Sequence, residues 1–349
     1  MAYTTVNKST DFHNTKLYEG NGTTDTAITG VGFQPDFTWI KDIDASNAHI
    51  LFDAVRGATK RLNSNTSNTE ATIAESLKSF DSDGFTVGNY SEANGNGTTI
   101  ASWNWKVGTT SGLSGGTITP TGYSINTTSG FGIYKYTGNG TSGANIAHGL
   151  GKVPTMIMVK KLNAAKEWQI YHTKMGNGKW IELTTSSQQT GTSRWNDTSP
   201  TSTLFYLGND SDVNANGDTY IAYVFCDVQG YQKCSGYIGN GASGVPNAEG
   251  AFVYTGFKPK FILMKSYSNT GSWTLWDNTR AGYNPNTYRI QPHQADAQYT
   301  GNAVWVDLVS NGFKLRQGDT DTNGDGYYYM YIAIGQSLVG TNNIPNNAR

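Results

Sequence analysis

The chain has 349 residues, of which only 15% are charged, with 42 glycines, 33 asparagines and 12% aromatics (21 Tyr, 13 Phe, 9 Trp). This aromatic content at low charge excludes a disordered chain, glycine without a three-residue period excludes collagen, and no apolar run reaches the ~18 residues of a membrane helix. With 25 basic and 26 acidic residues the net charge is −1, so no basic stripe points to nucleic acid.

The N-terminal stretch MAYTTVNKSTDFHNTK lacks a basic start followed by an apolar segment, so no secretory signal is expected. The first predicted strand holds Tyr18 and runs into a Gly20-Asn21-Gly22 turn. A second strand starts after Pro35 and carries Phe37, Trp39 and Ile40 before Lys41. Glu70, Ala71, Ala74, Glu75, Leu77 and Lys78 favour a short helix over 70–80, and one or two short helices are expected between the Trp39-type and Phe85-type strands. Strands follow at Gly84-Phe85-Thr-Val87 and at Thr99–Trp105. Residues 109–130 are rich in Thr, Ser and Gly, as a linker would be, but Ile118, Tyr123 and Ile125 alternate with polar residues and favour strands joining two modules.

The same landmarks then return twice. Tyr136 and Tyr237 precede Gly138-Asn139-Gly140 and Gly239-Asn240-Gly241; Pro154 and Pro259 precede Met156–Lys160 and Phe261–Lys265. Leu204–Leu207 and Gly312–Leu315 match the Phe85 strand, while Thr219–Phe225 and Tyr327–Ile334 match the closing strand. Proline at 35, 154 and 259 gives a period of about a hundred residues, a domain-sized repeat. Short apolar runs bounded by Gly, Asn and Thr are strands of a sandwich. The expected fold is all-β: three tandem antiparallel β-sandwich modules, jelly-roll or lectin-like, at 1–108, 109–235 and 236–349, with at most short helices in loops.

The strings Leu17-Tyr18-Glu-Gly-Asn-Gly-Thr23, Gly30 to Lys41, Leu51-Phe-Asp-Ala-Val-Arg-Gly-Ala-Thr-Lys60 and Ser79-Phe-Asp-Ser-Asp-Gly-Phe85 resemble a repeat family of marine bacteriophage virion proteins, tail fibre-like or structural, of poorly defined function. The resemblance covers nearly the whole chain. It implies a virion-associated protein, and brings no catalytic residues with it.

Several strings match chemical motifs by letter. Gly138-Asn-Gly140-Thr-Ser-Gly143 and Gly239-Asn-Gly241-Ala-Ser-Gly244 fit G-x-G-x-x-G, but recur as strand-end turns rather than helix starts. Gly112-Leu-Ser114-Gly-Gly116 fits a nucleophile elbow without a following helix. Asp319, Asp321, Asn323 and Asp325 alternate like the first half of an EF-hand loop and are the candidate calcium ligands, although Met330 stands where the closing Glu belongs. A solvated turn is the competing reading, because unit one has Asn94-Gly-Asn-Gly97 there; Asp210, Asp212, Asn214, Asn216 and Asp218 look similar in unit two. Asp53-x-x-Arg56 and Asp277-x-x-Arg280 recur, with His172 and Lys174 in unit two; an Asp–Arg pair fixes a loop more often than it binds a sugar acid. The histidines (His13, His49, His148, His172, His293) show no metal spacing. In a reducing cytoplasm Cys226 and Cys234 are expected to be unbridged.

The expected function is therefore an exposed virion protein, made in the host cytoplasm. It is a tail fibre or receptor-binding protein that binds without catalysis. A capsid decoration or head-fibre protein is the alternative, and a polysaccharide depolymerase the third reading. Expected partners are other virion proteins, further copies of the chain, and a host surface glycan or receptor. No resident cofactor beyond the calcium candidate, no nucleic acid and no membrane insertion are expected.

Overall fold

The computed structural model describes residues 3–242, 249–301 and 305–339. Each third of the chain builds the same large antiparallel sheet. Its strand order is first strand, closing strand, Pro strand, then a short fourth strand. In unit one these are His13–Glu19, Thr99–Trp105, Phe37–Asp42 and Ile50–Asp53. In unit two they are Phe131–Thr137, Thr219–Cys226, Pro154–Lys161 and Gln169–His172, and in unit three Gln232–Ile238, Tyr328–Gln336, Lys258–Ser266 and Thr274–Asp277. Units one and two extend the sheet by further short strands, and Gly122–Asn126 adds an edge strand to unit two, so the Thr/Ser/Gly stretch does enter the sheet. The Pro strands of units two and three shift register just after Pro154 and Pro259, where a missing N–H is cheapest. Gln232–Ile238 crosses the expected 235/236 boundary and belongs wholly to unit three.

A small sheet covers one face of each large one: Thr26–Thr29, Gly84–Val87 and Leu77–Asp81; Ala144–Ala147 and Leu204–Leu207; Phe252–Tyr254, Gly312–Leu315 and Val306–Val309. Three separate apolar cores lie between the layers, so the sandwich-like all-β expectation holds. The helix expected over 70–80 does not form. Leu77 is fully buried and its strand pairs with Gly84–Val87, so tertiary burial overrides the local propensity of Glu, Ala and Lys. The helical pieces among the described residues are Ser9–Asp11, a 3-10 turn, and Ser91–Asn94, and neither lies between the Trp39-type and Phe85-type strands.

The largest core lies between the units. Along each strand, side chains alternate between two apolar environments: Trp39, Met158 and Leu263 point to a shared central cluster, while Ile40, Val159 and Met264 point to the unit's own sandwich. Phe37 meets Tyr223 of unit two at 4.6 Å between ring centroids, and Trp105 meets Phe261 of unit three at 5.5 Å. The three large sheets thus stand as three walls around one aromatic centre.

Hydrogen bonds close the ring in a fixed cyclic sense. The backbone N–H of Glu70 donates to the carbonyl of Leu162 at 2.9 Å, that of Gln188 to Tyr267 at 3.0 Å, and that of Gln298 to Ile43 at 2.8 Å, running from unit one to two, two to three and three to one. The architecture has a pseudo-threefold axis within a single chain.

Candidate functional site

The recurring Asp-x-x-Arg pairs sit at the junctions between units. Arg56 Nε lies 2.5 Å from Asp53 Oδ2 and Arg280 Nε 2.5 Å from Asp277 Oδ2, all four side chains fully buried. Asp53 Oδ2 also accepts the Tyr223 hydroxyl of unit two at 2.7 Å, and Asp277 Oδ2 accepts Trp103 Nε1 of unit one at 3.0 Å. His172 holds the third junction. Its Nδ1 accepts the N–H of Lys174 at 3.1 Å, so Nε2 carries the proton and donates to the carbonyl of Tyr331 at 3.2 Å. Burial lowers the His172 pKa to about 4, which keeps the ring in this neutral form. Trp168 Nε1 to the Asn63 carbonyl (2.8 Å) and Trp273 Nε1 to the Glu182 carbonyl (2.9 Å) repeat the same device. These polar side chains are struts of the ring.

Three lysines recur with them. Lys41, Lys160 and Lys265 are completely buried and donate to carbonyl oxygens: of Asp42 and Ala45, of Ser67 and Lys161, and of Ser266 and Asn269. Desolvation pulls each down to about 8 from the ordinary 10.5.

The side chains of the candidate calcium loop are engaged by groups of the protein itself. Asp321 Oδ1 accepts the Ser272 N–H at 2.7 Å and Oδ2 accepts Arg289 Nη1 at 3.2 Å, so a guanidinium already balances it. Asp319 Oδ1 accepts the Asp321 N–H at 2.7 Å, and burial raises its pKa. Asp325 is exposed, and Asn323 is fully buried, its Nδ2 donating to Asn240 Oδ1 at 2.9 Å. In unit two, Arg194 pairs with both Asp210 and Asp212, and Lys166 lies 2.9 Å from Asp212. Among the described residues no three His, Cys, Asp or Glu side chains form a ligand group.

What recurs at this loop is an asparagine clamp that motif matching missed. Asn94, Asn214 and Asn323 are all fully buried, and their Oδ1 atoms accept the N–H of Asn21, Asn139 and Asn240 at 2.9, 2.9 and 3.1 Å. One residue earlier in each loop, a carbonyl accepts a tyrosine hydroxyl: Tyr18 to Ala93 at 2.7 Å, Tyr136 to Val213 at 2.7 Å, Tyr237 to Thr322 at 2.6 Å. The signal was the asparagine in register in all three units. The turn glycine lies so close that a Cβ on Gly138 would sit 2.3 Å from the Ala215 oxygen. The G-x-G-x-x-G strings are therefore strand-end turns, with Gly140 at φ +69° and Gly143 at φ +82°; Gly244 lies outside the described residues. Ser114 is exposed in irregular chain, and strand rather than helix follows it. His13, His49 and His148 are buried, with pKa values lowered chiefly by desolvation. Cys226 and Cys234 are buried and unbridged.

The outer surface is less symmetric than the interior. Of the large apolar side chains left exposed among the described residues, Val153 is in unit two, whereas Ile238, Phe252, Tyr254, Tyr283, Tyr299 and Tyr328 all belong to unit three. Nothing in composition marks this concentration; it appears only once the core positions are removed from the aromatic count.

No curated protein and no solved structure matches the chain. One family does, across residues 8–337, so the match spans all three units together. The chain belongs to the DUF7483 family, a domain of unknown function.

Proposed function

We propose that this chain is an exposed structural protein of a bacteriophage particle, acting as a tail fibre or receptor-binding protein through surface contact without catalysis. The resemblance of the Leu17–Thr23, Gly30–Lys41, Leu51–Lys60 and Ser79–Phe85 strings to virion proteins supports this reading. The observation that carries it is the use made of reactive groups. The Asp–Arg pairs and His172 are buried in the framework that closes the ring, and only 15% of the chain is charged. Neighbouring virion proteins and further copies of the chain are its proposed partners, and a host glycan or receptor its target. Such a target fits a particle carrying many copies, where modest single contacts add up.

Immunogold labelling of intact particles tests the location, and competition by purified protein tests the role. Tail label together with reduced phage adsorption is expected. Release of reducing sugar from host polysaccharide would overturn the non-catalytic reading. Capsid label without competition would favour a decoration protein, the second reading. The pseudo-threefold axis supports that alternative, because such a chain can sit on a threefold position of a shell without trimerising.

A further inference from the structure

The junction of units two and three carries an open cleft of about 330 Å³, between the turn at 227–233 and the strand Phe252–Tyr254. Tyr254 stands at its rim, 56% exposed. Lys233 Nζ lies over one face of the ring, 5.4 Å from its centroid, and donates to the Tyr254 carbonyl at 3.3 Å, which leaves the opposite face for a ligand. The Tyr3 hydroxyl, anchored on the Gly256 carbonyl at 2.9 Å, is hydrogen bonded to the Tyr254 side chain. Asp227 lines the same cleft. Its Oδ1 accepts the Cys234 N–H at 2.8 Å and the Thr155 hydroxyl at 3.1 Å, while the residue remains exposed. Gln229 is exposed beside it.

An exposed aromatic face, an oriented carboxylate and an amide within one cleft are the groups that grip a sugar ring. The aromatic face takes the axial C–H side, and the carboxylate accepts from vicinal hydroxyls through charge-assisted bonds. We propose that this cleft binds a neutral, hydroxyl-rich saccharide, with Tyr254 as stacking platform and Asp227 as hydroxyl acceptor. Asp227 and Lys233 both line the cleft, so its charges balance, which suits a neutral sugar. Two other clefts among the described residues lack this combination. At the junction of units one and two, Asp36 spends one oxygen on the Val107 N–H and the other on the Ser124 hydroxyl. Beside Tyr283, the side chains of Asn284 and Asn286 are bonded to backbone. The proposal rests on the surface-binding reading above and names its ligand class.

Affinity electrophoresis of the full chain through gels carrying dextran, mannan or galactomannan tests it. Retardation is expected in at least one gel. Tyr254→Ala should weaken it at least ~10-fold, and Asp227→Asn should weaken it as well. Tyr254→Phe should keep most of it, and Tyr283→Ala should leave it unchanged. A chain retarded by none of the three polysaccharides, or retarded equally after Tyr254→Ala with an unchanged melting temperature, overturns the proposal. Particle labelling is independent of this outcome, so failure here is separable from failure of the virion reading.

Discussion

At the scale of single residues, the molecule uses polar side chains where a simple sandwich would use apolar ones. Asp277 shows why. It neutralises Arg280 and caps Trp103 Nε1 in a fully buried junction. Asp277→Ala strands a buried guanidinium and an indole N–H together, and should cost about 3–5 kcal/mol in urea unfolding. Lys160 gives a prediction in pH. Its folded pKa of about 8 lies below the ordinary 10.5, so between those values the unfolded chain binds more protons. Its contribution to stability therefore rises with pH across that window. The difference between wild type and Lys160→Met should shift in favour of wild type from pH 8 to pH 10; an unchanged difference would show that the amine is not desolvated. The clamp makes a third case. Asn214→Ala leaves the Asn139 N–H and the Gly208 and Thr141 carbonyls without their buried partner, a loss of about 1–3 kcal/mol measurable by chemical denaturation.

At the scale of elements, the strands were legible in the sequence because turn chemistry and apolar runs repeat at fixed offsets. Their second face was legible only in part. Thr219–Cys226 reads TYIAYVFC, a nearly unbroken apolar run that signals burial on both faces. Taken as an ordinary sandwich strand, it hid the central core. The helix expected over 70–80 failed for the opposite reason, since local propensity was plain and the burial of Leu77 was not. The calcium candidate marks a limit of spacing, because alternating acids look alike whether they face an ion or an arginine. The ring has Arg289 and Arg194 in those places. Calcium or a chelator should accordingly move the melting temperature by less than ~1 °C, since only a ligand bound to the native state stabilises it.

At the scale of the whole molecule, the central core binds the units to a common fate. Residues 1–108 alone would expose Phe37, Trp39, Trp103 and Trp105 to water, a large apolar patch that favours association. Expressed alone, that fragment should aggregate or lack a cooperative transition, while the full chain unfolds in a single calorimetric step. Two separated transitions in the full chain would show that the modules are independent after all. The equivalent positions Trp103, Tyr223 and Ile332 have already diverged around the centre, which a ring of identical subunits could not allow. Because one gene encodes all three walls, a change on one wall is not copied to the others. A homotrimer must carry every surface feature in triplicate; this chain can keep two walls plain and specialise the third. The crowding of exposed tyrosines onto unit three is what such freedom leaves behind.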